Sequence, residues 1–139
     1  MWLVPTDPAR RALMQRVRRS GTSAEDRVAA ICRELGLAYR RNVKSLPGSP
    51  DLANKTRHWV VFVNGCFWHA HTGCKRATVP KRNNAFWTTK FRANRRRDAA
   101  KIRKLRAAGY RVVLIWECET SDASLMKRRL SNLREARVV

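Results

Sequence analysis

Apolar residues that return every three or four positions along the chain predict four helices. The segments are 9–19, 23–35, Ala85–Ala108 and Leu125–Ala136. The second has clear limits, because the capping-box sequence Thr22-Ser23-Ala24-Glu25 opens it and Gly36 follows it as a stop signal. The third is rich in arginine and lysine, and Asn84 is its expected cap and Gly109 its stop.

Shorter apolar runs between turn-forming residues predict the strands of a sheet. Residues 37–43 form the first, and the turn in LPGSPDL (46–52) then delivers Asp51 to the mouth of the second. The run HWVVFVN (58–64) and the run Tyr110–Trp116 are predicted to be further strands, the latter in the centre of the sheet. Strands that precede a long crossover helix and another apolar strand predict an α/β fold with helices on both faces of the sheet.

The length of 139 residues fits one domain with its own core, so we treat 1–139 as a single domain with residues 1–8 as a flexible tail. The apolar runs at 59–63 and 112–116 are far too short to cross a bilayer. The start, MWLVPTDPARR, lacks the basic segment and apolar core of a secretion signal. We therefore expect a cytoplasmic protein with no membrane partner.

Positive charge dominates the composition. Lys and Arg number 31 against 10 acidic residues, which gives a net charge of +21. A charge of this size repels itself strongly unless a polyanion neutralises it. The basic residues also run through the whole chain instead of lining one helix face, as they do in helices that bind membrane surfaces. We therefore predict that the partner is nucleic acid.

Soft metal ligands crowd into one short segment, GCFWHAHTGC (65–74). Zinc prefers four thiolate or imidazole ligands, and Cys66, His71 and Cys74 supply three at local spacing. Cys118 is the expected fourth, because it follows a strand that should pair with 58–64, although His69 competes for the position. Cytosolic thiols stay reduced, so a structural zinc site is favoured over disulfides.

A carboxylate and an imidazole are the candidates for a catalytic centre. Hydrolysis of a phosphodiester usually requires Mg²⁺ held by oxygen ligands, and Asp51 should lie near the 65–74 loop that contains His69. The pair can be interpreted as metal ligand and general base. The spacing is equally compatible with structural roles, in which Asp51 forms a turn and His69 is a spare zinc ligand or a loop histidine. Glu25 likewise has an alternative role, as the capping-box partner.

Two aromatic pairs, Phe67-Trp68 and Phe86-Trp87, flank the cysteine and histidine segment. Burial in a core is the usual role of such rings. Aromatic residues on loops among arginines can also wedge between base pairs, at the cost of unstacking them. In that case zinc would stiffen a loop that pushes rings into a duplex.

Five motifs stand in the order and at the spacing of one known family. They are LPGSPD (46–51), FVNGCFWHAH (62–71), VPKRNNAFW (79–87), RRRD (95–98) and GYRVVLIWEC (109–118). Over about residues 10–119 the chain resembles the very-short-patch-repair mismatch endonucleases. The resemblance implies a restriction-endonuclease-like fold, with a mixed central sheet flanked by helices. It also implies Mg²⁺-dependent nicking of duplex DNA beside a T·G mismatch, the lesion left when 5-methylcytosine deaminates.

The resemblance implies roles for individual residues as well. It places a structural zinc ion on Cys66, His71, Cys74 and Cys118, the same ligands as above. Asp51 and the backbone carbonyl of Val63 are implied as Mg²⁺ ligands, with His69 as the base and Glu25 as a supporting acid. The implied wedge consists of Phe67, Trp68 and Trp87. Contacts to DNA are expected from Arg95, Arg96 and Arg97.

The chain departs from the family pattern at two places. Asn64 occupies the position of a catalytic-site histidine in one form of the family, so contacts to phosphate or water there should differ. Gly73 makes the spacing from His71 to Cys74 one residue longer than in some members, which zinc should tolerate.

Two other functions stay open on the sequence alone. The same fold could serve restriction or phage defence, or the chain could be a catalytically silent, zinc-stabilised DNA-binding module. For the leading interpretation we expect a monomer that binds mismatched double-stranded DNA at the bacterial nucleoid, with mismatch-repair proteins as candidate partners. The bases that flank the mismatch and any associated methyltransferase are not specified by the sequence.

Overall fold

Three helices and four strands make up the part of the chain that this computed structural model describes, residues 23–66, 74 and 81–134. In chain order they are α1 (Ser23–Glu34), β1 (Arg40–Arg41), β2 (Leu52–Asn54), β3 (Trp59–Asn64), α2 (Asn84–Ala107), β4 (Arg111–Trp116) and α3 (Ala123–Ser131). Short 3₁₀ turns at Glu117–Glu119 and Asn132–Arg134 precede and follow α3. The helix predicted over 9–19 and the tail expected over 1–8 lie outside the described residues.

The four strands form one mixed sheet in the order β1-β2-β3-β4. β2 pairs antiparallel with both β1 and β3, whereas β3 and β4 run parallel, with α2 as the crossover between them. All six residues of β3 are buried. The prediction of a central β4 was wrong: it lies at one edge of the described sheet, and only Ile115 is buried in it. A continuous apolar run marks a covered strand but does not reveal how many neighbours it has.

Helices cover both faces of the sheet, as predicted. On one face α1 and α3 pack against Trp59, Val61 and Val63 of β3. On the other face Leu105 of α2 packs against Val60 and Phe62. Because successive side chains of a strand point to opposite faces, this single strand serves both cores. The full burial of a valine, leucine or phenylalanine side chain contributes roughly 1.5–3 kcal/mol to the stability of the fold.

The first predicted strand, 37–43, is much shorter in the structure. Only Arg40–Arg41 pair regularly with β2, and both are exposed. Asn42 then takes a left-handed backbone conformation (φ 51°), which breaks the extended geometry. Its backbone nitrogen still donates to the Asp51 carbonyl at 3.0 Å, so the pairing continues past the kink.

The helix limits agree with prediction to within one residue, except at the two ends of α3. α2 begins at Asn84 itself, and its N-cap is Asn83 in a left-handed conformation with no side-chain capping bond. α3 begins at Ala123, earlier than predicted, because the Asp122 side chain accepts a hydrogen bond from the Leu125 backbone nitrogen at 3.0 Å. It also ends earlier, at Ser131.

The long helix α2 has two very different faces. Trp87, Phe91 and Leu105 face inward and are buried. A stripe at the same helical spacing on the opposite face is exposed and basic, and consists of Arg92, Arg96, Arg103 and Arg106. No helix in the part of the chain that the structure describes is long and apolar enough to cross a membrane.

Candidate active site and metal centre

A tight turn delivers Asp51 to the sheet. Gly48 (φ 75°) and Ser49 (φ 48°) both adopt the left-handed conformation, and the Ser49 nitrogen donates to the Leu46 carbonyl at 3.1 Å. The following carboxylate is fixed at once, because Oδ2 of Asp51 accepts a hydrogen bond of 2.7 Å from the backbone nitrogen of Val63. The sequence prediction that Asp51 would stand at the mouth of a strand beside β3 is confirmed.

Glu25 joins Asp51 from the other side. It lies in the first turn of α1, is 2% exposed, and its side chain is hydrogen-bonded to that of Asp51. Arg41 approaches the pair, with its guanidinium 3.9 Å from Oε2 of Glu25 and 2.9 Å from the exposed Asp26. Thr22, the other half of the predicted capping box, lies outside the described residues. In the described part, Glu25 points inward to a second carboxyl group.

The burial of two adjacent carboxyl groups changes the pKa of Asp51. Burial raises the pKa of Asp51 to about 7. The hydrogen bond from the Val63 backbone nitrogen lowers the pKa of Asp51, and so does the charge of Lys101. The charge and the hydrogen bond of Glu25 raise the pKa further. A divalent cation would relieve the repulsion between the carboxylates, and hard oxygen ligands of this kind suit Mg²⁺. The residues present therefore fit a catalytic metal.

The end of β3 provides the remaining described parts of this site. Val63 is 8% exposed and Asn64 is 4% exposed, so a polar amide is buried directly beside the residue that fixes Asp51. His69, Phe67 and Trp68 lie outside the described residues. Their predicted roles as base and wedge stay predictions.

Three of the four predicted zinc ligands converge. The sulfur atoms of Cys66, Cys74 and Cys118 all lie within 4.8 Å of one another, although Cys118 follows β4 and the other two follow β3. The backbone nitrogen of Cys118 donates to Sγ of Cys66 at 3.4 Å. Burial raises the pKa of Cys66 to about 12, and it raises that of Cys118 as well, so a bound cation would be needed to hold these groups as thiolates. His71 lies outside the described residues.

A small network fixes the turn that carries Cys118. The Glu119 side chain accepts a hydrogen bond from the Trp116 backbone nitrogen at 2.9 Å, and it forms an ion pair of 2.7 Å with Arg129 of α3. Thr120 donates to the Glu117 carbonyl at 2.8 Å. These contacts hold the Cys118 thiol in place relative to the sheet.

The predicted DNA-contacting residues of α2 have different environments. Trp87 is fully buried, with its ring 5.1 Å from that of Phe86 and 5.7 Å from that of Phe91, so its indole can reach DNA bases only if the surrounding residues move. Its wedge role stays a prediction. The three arginines at 95–97 are all exposed. Consecutive helix residues are separated by about 100°, so these three cannot face the same phosphate.

Sequence reasoning missed Lys101. It forms an ion pair of 3.0 Å with Asp98 one turn earlier on α2. A signal was present, because positions 98 and 101 share a face with the buried Phe91 and Leu105. A charged residue on the apolar side of a helix is a candidate for a functional site.

Comparison with known proteins decides the family. The family model described as DNA mismatch endonuclease Vsr matches residues 4–76, which is more than half of the chain. The chain belongs to the Vsr family. This confirms the resemblance drawn from the five motifs.

Relatives of this Vsr-family chain include nicking enzymes. It is 43% identical over 124 residues to the type II nicking enzyme V.XorIIP of Xanthomonas oryzae, covering 89% of this chain and 90% of that protein. It is 33% identical over 128 residues to the type II nicking enzyme V.NmeAIP of Neisseria meningitidis, covering 92% and 91%. It is 38% identical over 105 residues to the DNA mismatch endonuclease Vsr of Escherichia coli, covering 76% and 67%. The Vsr-family chain is thus an endodeoxyribonuclease.

Proposed function

We propose that this Vsr-family enzyme nicks one strand of duplex DNA beside a T·G mismatch and that the reaction depends on Mg²⁺. The observation that carries the proposal is the pair of carboxyl groups of Asp51 and Glu25, fixed at the end of β3 by the Val63 backbone. In a nuclease, such a pair is suited to hold the metal that phosphodiester hydrolysis uses. The 38% identity to a mismatch endonuclease favours the mismatch as the substrate.

Each residue of the site has a task in this reaction. Asp51 and the Val63 carbonyl would hold Mg²⁺, with Glu25 supporting the Asp51 carboxyl. When bound, the metal supplies charge stabilisation on the phosphate and lowers the pKa of water. His69 would take the proton of the attacking water. Asn64 carries an amide, which does not titrate, so it contributes hydrogen bonds to water or phosphate and no proton transfer.

Zinc is the metal we propose for the cysteine cluster, with His71 as the fourth ligand. Three thiols from two segments are a typical donor set for structural zinc, and they are close enough to bind one ion. The ion would join the two ends of the segment between Cys66 and Cys74, which carries Phe67, Trp68 and His69. Its role is therefore to restrain that segment and tie it to β4.

The basic charge of the chain supplies affinity for the DNA backbone. The exposed α2 stripe of Arg92, Arg96, Arg103 and Arg106 extends along a helix of 24 residues, which is about 36 Å long. Together with Arg95 and Arg97 it provides contacts to phosphates, which position the protein without reading sequence. We propose that the enzyme works as a monomer on chromosomal DNA at the nucleoid, with mismatch-repair proteins as partners.

A cleavage panel tests the proposed function. Purified protein with Mg²⁺ is incubated with matched, T·G and other mismatched duplexes, each labelled on one strand at a time. We expect a single-strand nick on the T·G duplex only. Cutting of matched DNA would instead support a restriction or defence nuclease, and binding without cutting would support a silent DNA-binding module.

The wedge makes a separate prediction. Replacing Phe67 and Trp68 together by Ala should reduce the preference for T·G over matched DNA by tenfold or more, since a stacked ring contributes about 1–3 kcal/mol. Affinity for matched DNA should change little, because phosphate contacts supply it. Affinities for both duplexes are measured by fluorescence anisotropy. The control Arg103→Ala should weaken binding to both duplexes equally, and the same pattern in the double variant would count against a wedge.

A further inference from the structure

Lys101 differs from the exposed arginines of α2. It shares the inward face of the helix with Phe91 and Leu105, whereas the arginine stripe faces solvent. Its side chain is only 19% exposed and that of its partner Asp98 17%. Covering a lysine side chain costs rotamer freedom and hydration, so such a placement is expected where the charge has a use.

Three contacts fix the Lys101 side chain. Its aliphatic part packs against Gly48, where an added Cβ would collide with Cδ of the lysine. Its Nζ lies 3.0 Å from Oδ1 of Asp98 and 4.4 Å from the centre of the Phe62 ring. The ammonium group therefore has a defined position before any ligand binds.

That position adjoins the carboxylate site. Asp51 directly precedes β2, and its Oδ2 accepts a hydrogen bond from the backbone nitrogen of Val63, the residue after Phe62. Lys101 thus lies over the ring of Phe62, next to Val63 in β3, and packs on Gly48 in the turn that carries Asp51. The effect of the Lys101 charge on the pKa of Asp51 is consistent with this proximity.

A fixed cation at this position would offset the negative charge that accumulates in the site. A phosphodiester that approaches Asp51 and Glu25 brings a further negative charge to two carboxyl groups. Arg41 is 3.9 Å from Glu25, but its side chain is 36% exposed and also pairs with Asp26. A lysine ammonium has three donors, so the bond to Asp98 leaves capacity for a phosphate oxygen. Positively charged groups that are in place before the reaction stabilise developing charge most effectively.

We propose that Lys101 is a further catalytic residue, whose ammonium group binds a non-bridging oxygen of the scissile phosphate beside Asp51. The inference rests on the proposed nicking function and assigns that function a residue on α2. Asp98 is then a positioning residue that holds the ammonium group.

The test is the single-turnover nicking rate on the T·G duplex with saturating enzyme and Mg²⁺. Lys101→Met should lower this rate by about 10²-fold, the usual effect of removing one preorganised donor. Affinity for the duplex should change far less, because many other phosphate contacts remain. The matched control is Lys104→Met, an exposed lysine of the same helix, which should keep the wild-type rate. Methylammonium ions should restore part of the rate of Lys101→Ala, which a merely structural role would not allow.

Each outcome decides the inference. Lys101→Gln keeps a polar side chain beside Asp98 and serves if Lys101→Met does not fold. Nicking near the wild-type rate in the folded variant, an equal loss in Lys104→Met, or a loss that follows lower thermal stability without amine rescue would overturn it. Wild-type protein that nicks no duplex would reject the proposed function and this inference together, whereas active wild type with equally active variants would reject the inference alone.

Discussion

Replacing Asp51 by Asn should reduce nicking of the T·G duplex on the order of 10³-fold, because a catalytic metal contributes several kcal/mol and each 1.36 kcal/mol is tenfold in rate. The amide oxygen of Asn can still accept the hydrogen bond from the Val63 nitrogen, so the local geometry is retained. What is lost is the negative charge that would hold Mg²⁺. The measurement is the single-turnover rate over a series of Mg²⁺ concentrations.

The same substitution should stabilise the metal-free protein. The pKa of Asp51 is raised from 3.8 to about 7 in the folded state, so between these values the folded chain binds more protons than the unfolded chain. The contribution of Asp51 to stability is therefore present at low pH and is lost as pH rises to about 7. Asp51→Asn removes this loss, so its Tm should exceed that of the wild type by a few degrees near pH 8 and by less near pH 4.

A matched control separates site effects from general charge effects. Asp26 lies one residue after Glu25 on α1, but its side chain is 64% exposed. Asp26→Asn should keep the nicking rate and show no gain in Tm that grows with pH. Full activity in Asp51→Asn would remove Asp51 from the mechanism, and reduced Tm near pH 8 would contradict the buried carboxyl pair.

If the cysteine cluster holds zinc as proposed, replacing Cys118 by Ser should remove the ion and most of the cooperative folding. Structural zinc contributes about 10–16 kcal/mol of apparent binding free energy in small zinc domains, which matches or exceeds the 5–15 kcal/mol that stabilises a typical protein. Serine cannot supply the thiolate, and the thiols of Cys66 and Cys74 would stay crowded together without an ion. We expect one zinc per wild-type chain by elemental analysis and none in the variant, with loss of the thermal unfolding transition.

Cys32 provides the control for this experiment. Its thiol is fully buried in the apolar core on α1 and does not belong to the group formed by Cys66, Cys74 and Cys118. Cys32→Ala should lower stability modestly through a lost core contact but keep one zinc per chain. A stable, zinc-replete Cys118→Ser protein would remove Cys118 from the proposed ligand set.

Local patterns predicted those parts of the fold that local forces determine. The face of α1 formed by Val28, Ile31 and Cys32 is buried as its spacing required, and β3 is buried along its whole length. The position of Asp51 was also predictable, since a turn rich in glycine and proline constrains the chain on either side. The pairing of β3 with β4 was enough to bring Cys118 to Cys66.

Features that depend on neighbours distant in sequence were not predictable. The edge position of β4 depends on which strands pair, and the one-residue shift of the α2 cap to Asn83 reflects a backbone conformation that composition does not reveal. The sequence allowed Glu25 to be a helix cap or an active-site acid, and its burial beside Asp51 supports the second role, which stays a proposal. Lys101 was hidden among many basic residues, because net charge says nothing about which one faces inward.

Val63 of β3 donates the backbone hydrogen bond that fixes Asp51, and the thiol of Cys66 follows only three residues later in the chain. Three residues of extended chain cover only about 10 Å, so there is little slack between the two places. With zinc on the cysteines as proposed, cells starved of that element would make enzyme that is catalytically incompetent although every magnesium ligand is intact. Turnover numbers for this enzyme should therefore be normalised to zinc-loaded molecules and not to total protein.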